Sequence, residues 1–104
     1  MIELYQAEWC PHSHAVRARL TELGVDYVTR QVPPDQEDRA ALREATGDSS
    51  VPALVTAEGH AISGEEEILR WLDETYEEQP ELVRRHRAKA RTEHWLKDDP
   101  VTQG

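Results

Sequence analysis

The chain has 104 residues, of which 38% are hydrophobic and 32% charged, and a formal net charge of -9. That length supports one hydrophobic core and no more, and the apolar residues fall in runs, so a folded single domain is expected rather than disorder. The negative charge excludes nucleic acid and anionic membranes as main partners, because both would repel the body of the protein.

Ile2 to Gln6 reads as a short strand with Ile2 and Leu4 on one side, ending in the turn Ala7-Glu8-Trp9. Pro11 suits a first helical position, which makes Cys10 the N-cap. Val16, Leu20 and Leu23 form the apolar stripe of that helix and Gly24 ends it. A second strand is predicted from Val25 to Val32 and is stopped by Pro33-Pro34-Asp35. Asp35 can then cap a second helix from about Gln36 to Ala45, terminated at Thr46-Gly47. Val51-Pro52 opens a third strand, Ala53 to Thr56, and a turn leads into a brief fourth, Ala61-Ile62. Ser63 is the predicted N-cap of a third helix reaching about Glu77, with Glu65, Glu66 and Glu67 in its first turn. Pro80 starts a last helix that ends before Pro100.

The order β-α-β-α-β-β-α plus a helix implies an α/β fold. A right-handed crossover makes the first two strands parallel and a hairpin adds antiparallel ones, giving a four-stranded mixed sheet. Charge divides along the same lines. Residues 1–80 hold seventeen acids and six bases, whereas 81–104 hold four acids and six bases, with Arg84, Arg85, Arg87, Lys89 and Arg91 grouped. The expected organisation is a body over 1–79 and a basic helix and tail over 80–104, the latter a solvated helix, a dock for an acidic protein or a cover for the active site.

Cys10 is the only cysteine, so no internal disulfide can form. The start Met1-Ile2-Glu3-Leu4 lacks the basic-then-apolar pattern of a secretion signal, and nothing approaches a membrane span, so a cytoplasmic, reducing location is expected. At a strand-to-helix junction, free backbone N–H groups and the positive end of the helix dipole favour the thiolate. Cys10 is therefore read as a reactive sulfur rather than a buried inert one.

Three motifs now make the chain resemble the glutaredoxins and the amino-terminal domain of glutathione S-transferases, both of thioredoxin-like fold. Cys10-Pro11-His12-Ser13 stands where glutaredoxins carry Cys-Pro-Tyr-Cys or Cys-Pro-Tyr-Ser. Thr46-Gly47 precedes Val51-Pro52 at the family spacing, and Ser63-Gly64-Glu65-Glu66-Glu67 stands in place of Gly-Gly-x-x-Asp. Together these cover residues 1 to about 78.

The resemblance implies a cis Val51–Pro52 bond, with the Val51 backbone pairing with the cysteinyl part of glutathione beside Pro11 and Pro52. It implies that the N–H groups of Gly64, Glu65 and Glu66 take the γ-glutamyl carboxylate while Glu66 or Glu67 takes the amine, and that Arg39 meets the glycine carboxylate. Ala7 departs from the lysine many glutaredoxins place there, and Glu8 adds repulsion, which points to weak glutathione affinity or another thiol. His12, in place of the family's aromatic residue, would favour the thiolate as imidazolium, and Ser13 could donate to it. Cys10-x-His12-x-His14 does not converge on a metal, because residues two apart on a helix point in different directions. His60 and His86 read as surface residues, and Trp71 and Trp95 as packing ones.

With Ser13 where a resolving cysteine would sit, the resemblance implies a monothiol thiol-disulfide oxidoreductase. Its co-substrate would be glutathione or a related low-molecular-weight thiol, with no tightly bound cofactor, and its partners small disulfides and glutathionylated proteins. The protein is expected as a monomer or weak homodimer. The alternatives are a glutathione S-transferase N-terminal-like domain, for which the 24 residues after Pro80 are too few to build the second domain, and a non-catalytic thiol-binding or iron–sulfur carrier module.

Overall fold

The computed structural model describes the backbone of residues 1–97 and the side chains of residues 1–92. In chain order the elements are strand β1 (Ile2–Gln6), helix α1 (Pro11–Glu22), strand β2 (Tyr27–Gln31), helix α2 (Ala40–Thr46), strands β3 (Ala53–Val55) and β4 (Ala61–Ser63), and helices α3 (Glu65–Thr75) and α4 (Pro80–Lys97). The sheet order is β2-β1-β3-β4, with β1 and β2 parallel and the other two pairings antiparallel. This is the expected four-stranded mixed sheet of a thioredoxin-like α/β fold.

Strand alternation sets the two faces. Ile2 and Leu4 of β1 and Leu54 of β3 join Val16 and Leu20 of α1 and Ile68 and Leu72 of α3 in one core, all buried. Tyr5 and its cross-strand partner Ala53 point the other way, and α2 brings buried Leu42 to that face. Burying an aliphatic side chain of this size contributes about 1.5–3 kcal/mol, so these residues supply most of the folding drive.

Several strand and helix ends move by one or two residues, and three predicted boundaries shift for a visible reason. The second strand begins at Tyr27 rather than Val25, because the Val25 N–H donates to Leu20 O at 3.0 Å and so belongs to the turn that ends α1. The second helix is broken: a 3-10 turn spans Gln36–Asp38, and α2 starts only after Arg39, whose backbone (φ -94, ψ 53) leaves the helical region. Ser63 is not an N-cap. It pairs with Ala53 as the last residue of β4, and Gly64, at φ 93, makes the turn into α3. A positive φ of this kind is open to glycine and strained for other residues.

Trp71 packs on the core edge-on to Tyr76, with ring centroids 5.9 Å apart. The Trp95 side chain lies outside the described residues. His60 is exposed, but His86 is half-buried, because α4 rests on α1 and on the turn before β2. Val83 of α4 is buried, and Arg87 donates to both oxygens of Glu22 at 2.8 and 3.2 Å. Arg19 of α1 meets the same carboxylate at 3.0 Å and also reaches Asp73 of α3 at 2.9 Å and Glu78 at 2.6 Å. The described part of the basic helix is thus tied to the last turn of α1, about 18 Å of helix from Cys10. The tail after residue 97, one of whose expected roles is to cover the active site, lies outside the described residues. Among the described residues no helix is long and apolar enough to cross a membrane.

The Glu22 side chain is only 13% exposed, and its hydrogen bond from Arg87, opposed by burial and helped by Arg19, holds its carboxyl below the usual range. A depressed carboxylate stabilises the fold above its ordinary pKa, near 4.3, and that contribution is lost as pH falls through the folded value. E22Q should cost about 1–2 kcal/mol at pH 7 in urea unfolding. The gap to the parent should shrink on acidification through pH 4; an unchanged gap there would mean that Glu22 acts by packing alone.

Candidate thiol active site

Topology brings the site together. The C-terminal ends of β1, β2 and β4 and the N-terminal end of β3 share one edge of the sheet, so the connections around residues 7–10, 32–39, 47–52 and 64 emerge side by side. Extending the β1–β3 register past Tyr5 and Ala53 sets Val51-Pro52 opposite Gln6-Ala7. The Gly64 N–H donates to Pro52 O at 2.9 Å, so the start of α3 is fastened to the same loop. The Val51–Pro52 bond is cis, Pro52 is fully buried, and Val51 is half-buried at the rim.

Cys10 caps α1 in extended conformation (φ -82, ψ 120), and its sulfur accepts the Ser13 N–H at 3.5 Å. The residue is 6% exposed. Burial by itself pushes the thiol up. The Ser13 backbone N–H, the Ser13 side chain, the His12 N–H and the Arg17 charge pull it down further, and the net direction is below the ordinary thiol value. Fully buried Ser13 has a fixed orientation, because its Oγ accepts the Ala7 N–H at 3.3 Å and so keeps its hydroxyl hydrogen for the sulfur.

Arg17 and Gln6 are site residues that the motifs did not point to. Arg17 lies seven residues after Cys10, two helical turns on and thus on the same face, a spacing that could have marked it. Its guanidinium is hydrogen-bonded to buried Gln6 Oε1 and reaches Glu8 Oε1 at 3.2 Å; Gln6 in turn donates to Gln31 at 3.1 Å. Arg17 is thus a partly enclosed cation two turns along the helix, whose charge favours the Cys10 thiolate.

Two expected roles change. The His12 imidazole does not face the sulfur: its Nδ1 meets Glu65 Oε1 at 2.6 Å and bridges the first turns of α1 and α3, so His12 acts on Cys10 through its backbone N–H. Arg39, expected at a glycine carboxylate, is 3% exposed. Its guanidinium donates to Pro33 O at 2.8 Å, Pro34 O at 3.0 Å and Ser49 O at 2.8 Å. The planar guanidinium thus ties three loop carbonyls together, so Arg39 holds the loops in place and presents no cation to a ligand.

The first turn of α3 and His12 line an open cleft of about 620 Å³, with Gly64, Glu65, Glu66 and Glu67 along one side. Glu67 is engaged by Arg70 at 3.0 and 3.1 Å, whereas Glu66 is exposed. The Glu65 and Glu66 N–H groups open α3, where a helix offers unpaired donors. His14 turns toward Arg17 and His12 toward Glu65, and no group of three metal-ligating side chains occurs among the described residues.

An activated cysteine at a helix N-terminus, across from a cis-proline loop on a mixed sheet of this order, defines a thioredoxin-fold thiol protein. Residues 2–61 match the glutaredoxin family, and the chain belongs to it. No curated protein matches the sequence. Among solved structures, a glutathione S-transferase from Sinorhizobium meliloti 1021 is similar at 29% identity and TM-score 0.66, over 72% of this chain and 32% of that one. One from Rhodospirillum rubrum F11 is similar at 28% identity and TM-score 0.64, over 73% and 34%. Glutaredoxin 2 from Salmonella typhimurium, solved in complex with glutathione, shares the fold at 18% identity and TM-score 0.63, over 70% and 33%. The chain thus matches about a third of the length of these proteins.

The alkylation rate of Cys10 should titrate with a midpoint below 8.5. R17M should raise that midpoint by removing the charge. S13A should raise it too, and should cost about 1 kcal/mol by leaving the buried Ala7 N–H without its acceptor. A midpoint unmoved by both substitutions would assign the depression to the helix backbone alone.

Proposed function

We propose that this chain is a monothiol glutaredoxin-like oxidoreductase that reduces mixed disulfides of glutathione, or of a related low-molecular-weight thiol, through Cys10. The observation that carries the reading is a lone cysteine whose thiol is depressed at the N-terminus of α1, with Ser13 as a fixed donor where a second thiol would resolve the intermediate. Membership of the glutaredoxin family supports it.

The Cys10 thiolate attacks the glutathione sulfur of a mixed disulfide. The new Cys10–glutathione bond forms as the old S–S bond breaks, and the target leaves as a thiolate that takes a proton from water. A second thiolate then attacks the glutathione sulfur on Cys10, releasing glutathione disulfide and restoring the Cys10 thiolate. In balance, one mixed disulfide and one glutathione thiol give one target thiol and one glutathione disulfide. The Val51 backbone would lie along the cysteinyl part like an added strand, and the N–H groups of Gly64, Glu65 and Glu66 would take the γ-glutamyl carboxylate. The Glu66 carboxylate, with no partner drawn from α3, suits the amine. With Arg39 committed to loop carbonyls, the glycine carboxylate draws no cation from that residue. A reducing compartment such as the cytoplasm would supply the external thiol.

The identity to two glutathione S-transferases favours a second reading, an N-terminal transferase-type domain, in which the same thiolate-binding cleft would present glutathione to an electrophile. The two separate by assay. C10S should abolish reduction of a glutathionylated peptide, and S13C should leave the first step intact. Conjugation of an aryl halide with no deglutathionylation by the parent chain would favour the transferase reading and contradict the oxidoreductase.

A further inference from the structure

We propose that the disulfide Cys10 attacks is carried on a basic protein segment, selected by an acidic face with an aromatic centre around the sulfur. This rests on the oxidoreductase reading above and names the partner of the same site. The four connections at the Cys10 edge of the sheet carry acids throughout. Glu8 lies in the first, 74% exposed at its side chain. Asp35, Glu37 and Asp38, all exposed, follow β2, and exposed Asp48 follows α2. The first turn of α3 adds Glu65, Glu66 and Glu67. Segments 7–12, 32–38, 47–52 and 63–67 contain no lysine or arginine.

The nearest cations offset this face only in part: Arg43 of α2 lies on it, its guanidinium donating to Gln36 O at 2.9 Å and Glu37 O at 3.0 Å. Arg39 is buried beneath three carbonyls, and Arg17 is 17% exposed and bound between Gln6 and Glu8, so its charge is directed at the sulfur and the loop rather than outward. Arg70 answers Glu67 alone among the α3 acids. The grouped bases lie instead on α4, which is joined to α1 at its far end through Glu22. The molecule therefore turns its negative side toward an approaching disulfide.

Trp9 gives that side a contact surface. It directly precedes Cys10 and is 67% exposed, beside Glu8. An indole face next to carboxylates fits the apolar stem and cationic head of lysine or arginine. A basic flank also lowers the pKa of the departing thiol, which speeds its loss from the disulfide. Fields of this kind change encounter rates by about 10–1,000-fold and are screened by salt.

The test compares two glutathionylated peptides of equal length, one flanked by lysine and arginine and one by glutamate, with neutral hydroxyethyl disulfide as reference. At low salt, kcat/KM for the basic peptide should exceed that for the acidic one by on the order of tenfold, and about 0.5 M salt should close most of the gap. D35N/E37Q should narrow the gap and leave the neutral substrate unchanged, and W9A should raise KM for the basic peptide. Turnover of all three substrates at rates indifferent to charge and salt would overturn this inference and leave the oxidoreductase reading standing. No turnover of any, the neutral disulfide included, would overturn both.

Discussion

The hydrogen bond from the Gly64 N–H to Pro52 O, 2.9 Å long, is the constraint on which the site depends. It carries the β3–β4 ladder one residue past Ser63 and so fixes where α3 can begin. Because β1 pairs with β3, that bond also sets the start of α3 against the loop from which Cys10 emerges. The His12–Glu65 contact closes the same arrangement from the helix side. Two helix N-termini then face one short stretch of surface, and both bring unpaired N–H groups and positive dipole ends to it.

Electrostatics on the two scales run in opposite directions. Within a few ångströms of the sulfur, the N–H groups of α1 and the Arg17 charge outweigh the cost of burial and favour the thiolate. Farther out, the loops around the site are acidic, and the compensating bases sit on α4 beyond the last turn of α1. A sulfur can thus be anionic under a negative surface, because the local donors are close and partly dry while the carboxylates are exposed and screened.

Much of this was legible in the sequence. Element order and the strand-to-helix position of Cys10 followed from proline, glycine and apolar spacing, which act locally, whereas the cis Val51–Pro52 bond was implied by the family resemblance. What escaped was set by contacts between segments. The break in the second helix comes from Arg39 collecting carbonyls of Pro33, Pro34 and Ser49, partners six, five and ten residues away. Ser63 looked like an N-cap because serine often is one; its pairing with Ala53 across the hairpin overrode that preference. Gln6 reads as the polar end of a strand, and only the fold shows it fully buried beneath Arg17.

The central claim is that a thiol attached at Cys10 lies between the Val51 loop and the start of α3. The most direct measurement is the change in backbone amide NMR shifts when reduced Cys10 is converted to its mixed disulfide with glutathione. The account predicts large changes at Val51, Gly64, Glu65 and Glu66, with the Arg39 guanidinium signal unmoved. Changes confined to residues 8–14, or a large shift at Arg39 with none at Gly64, would contradict it.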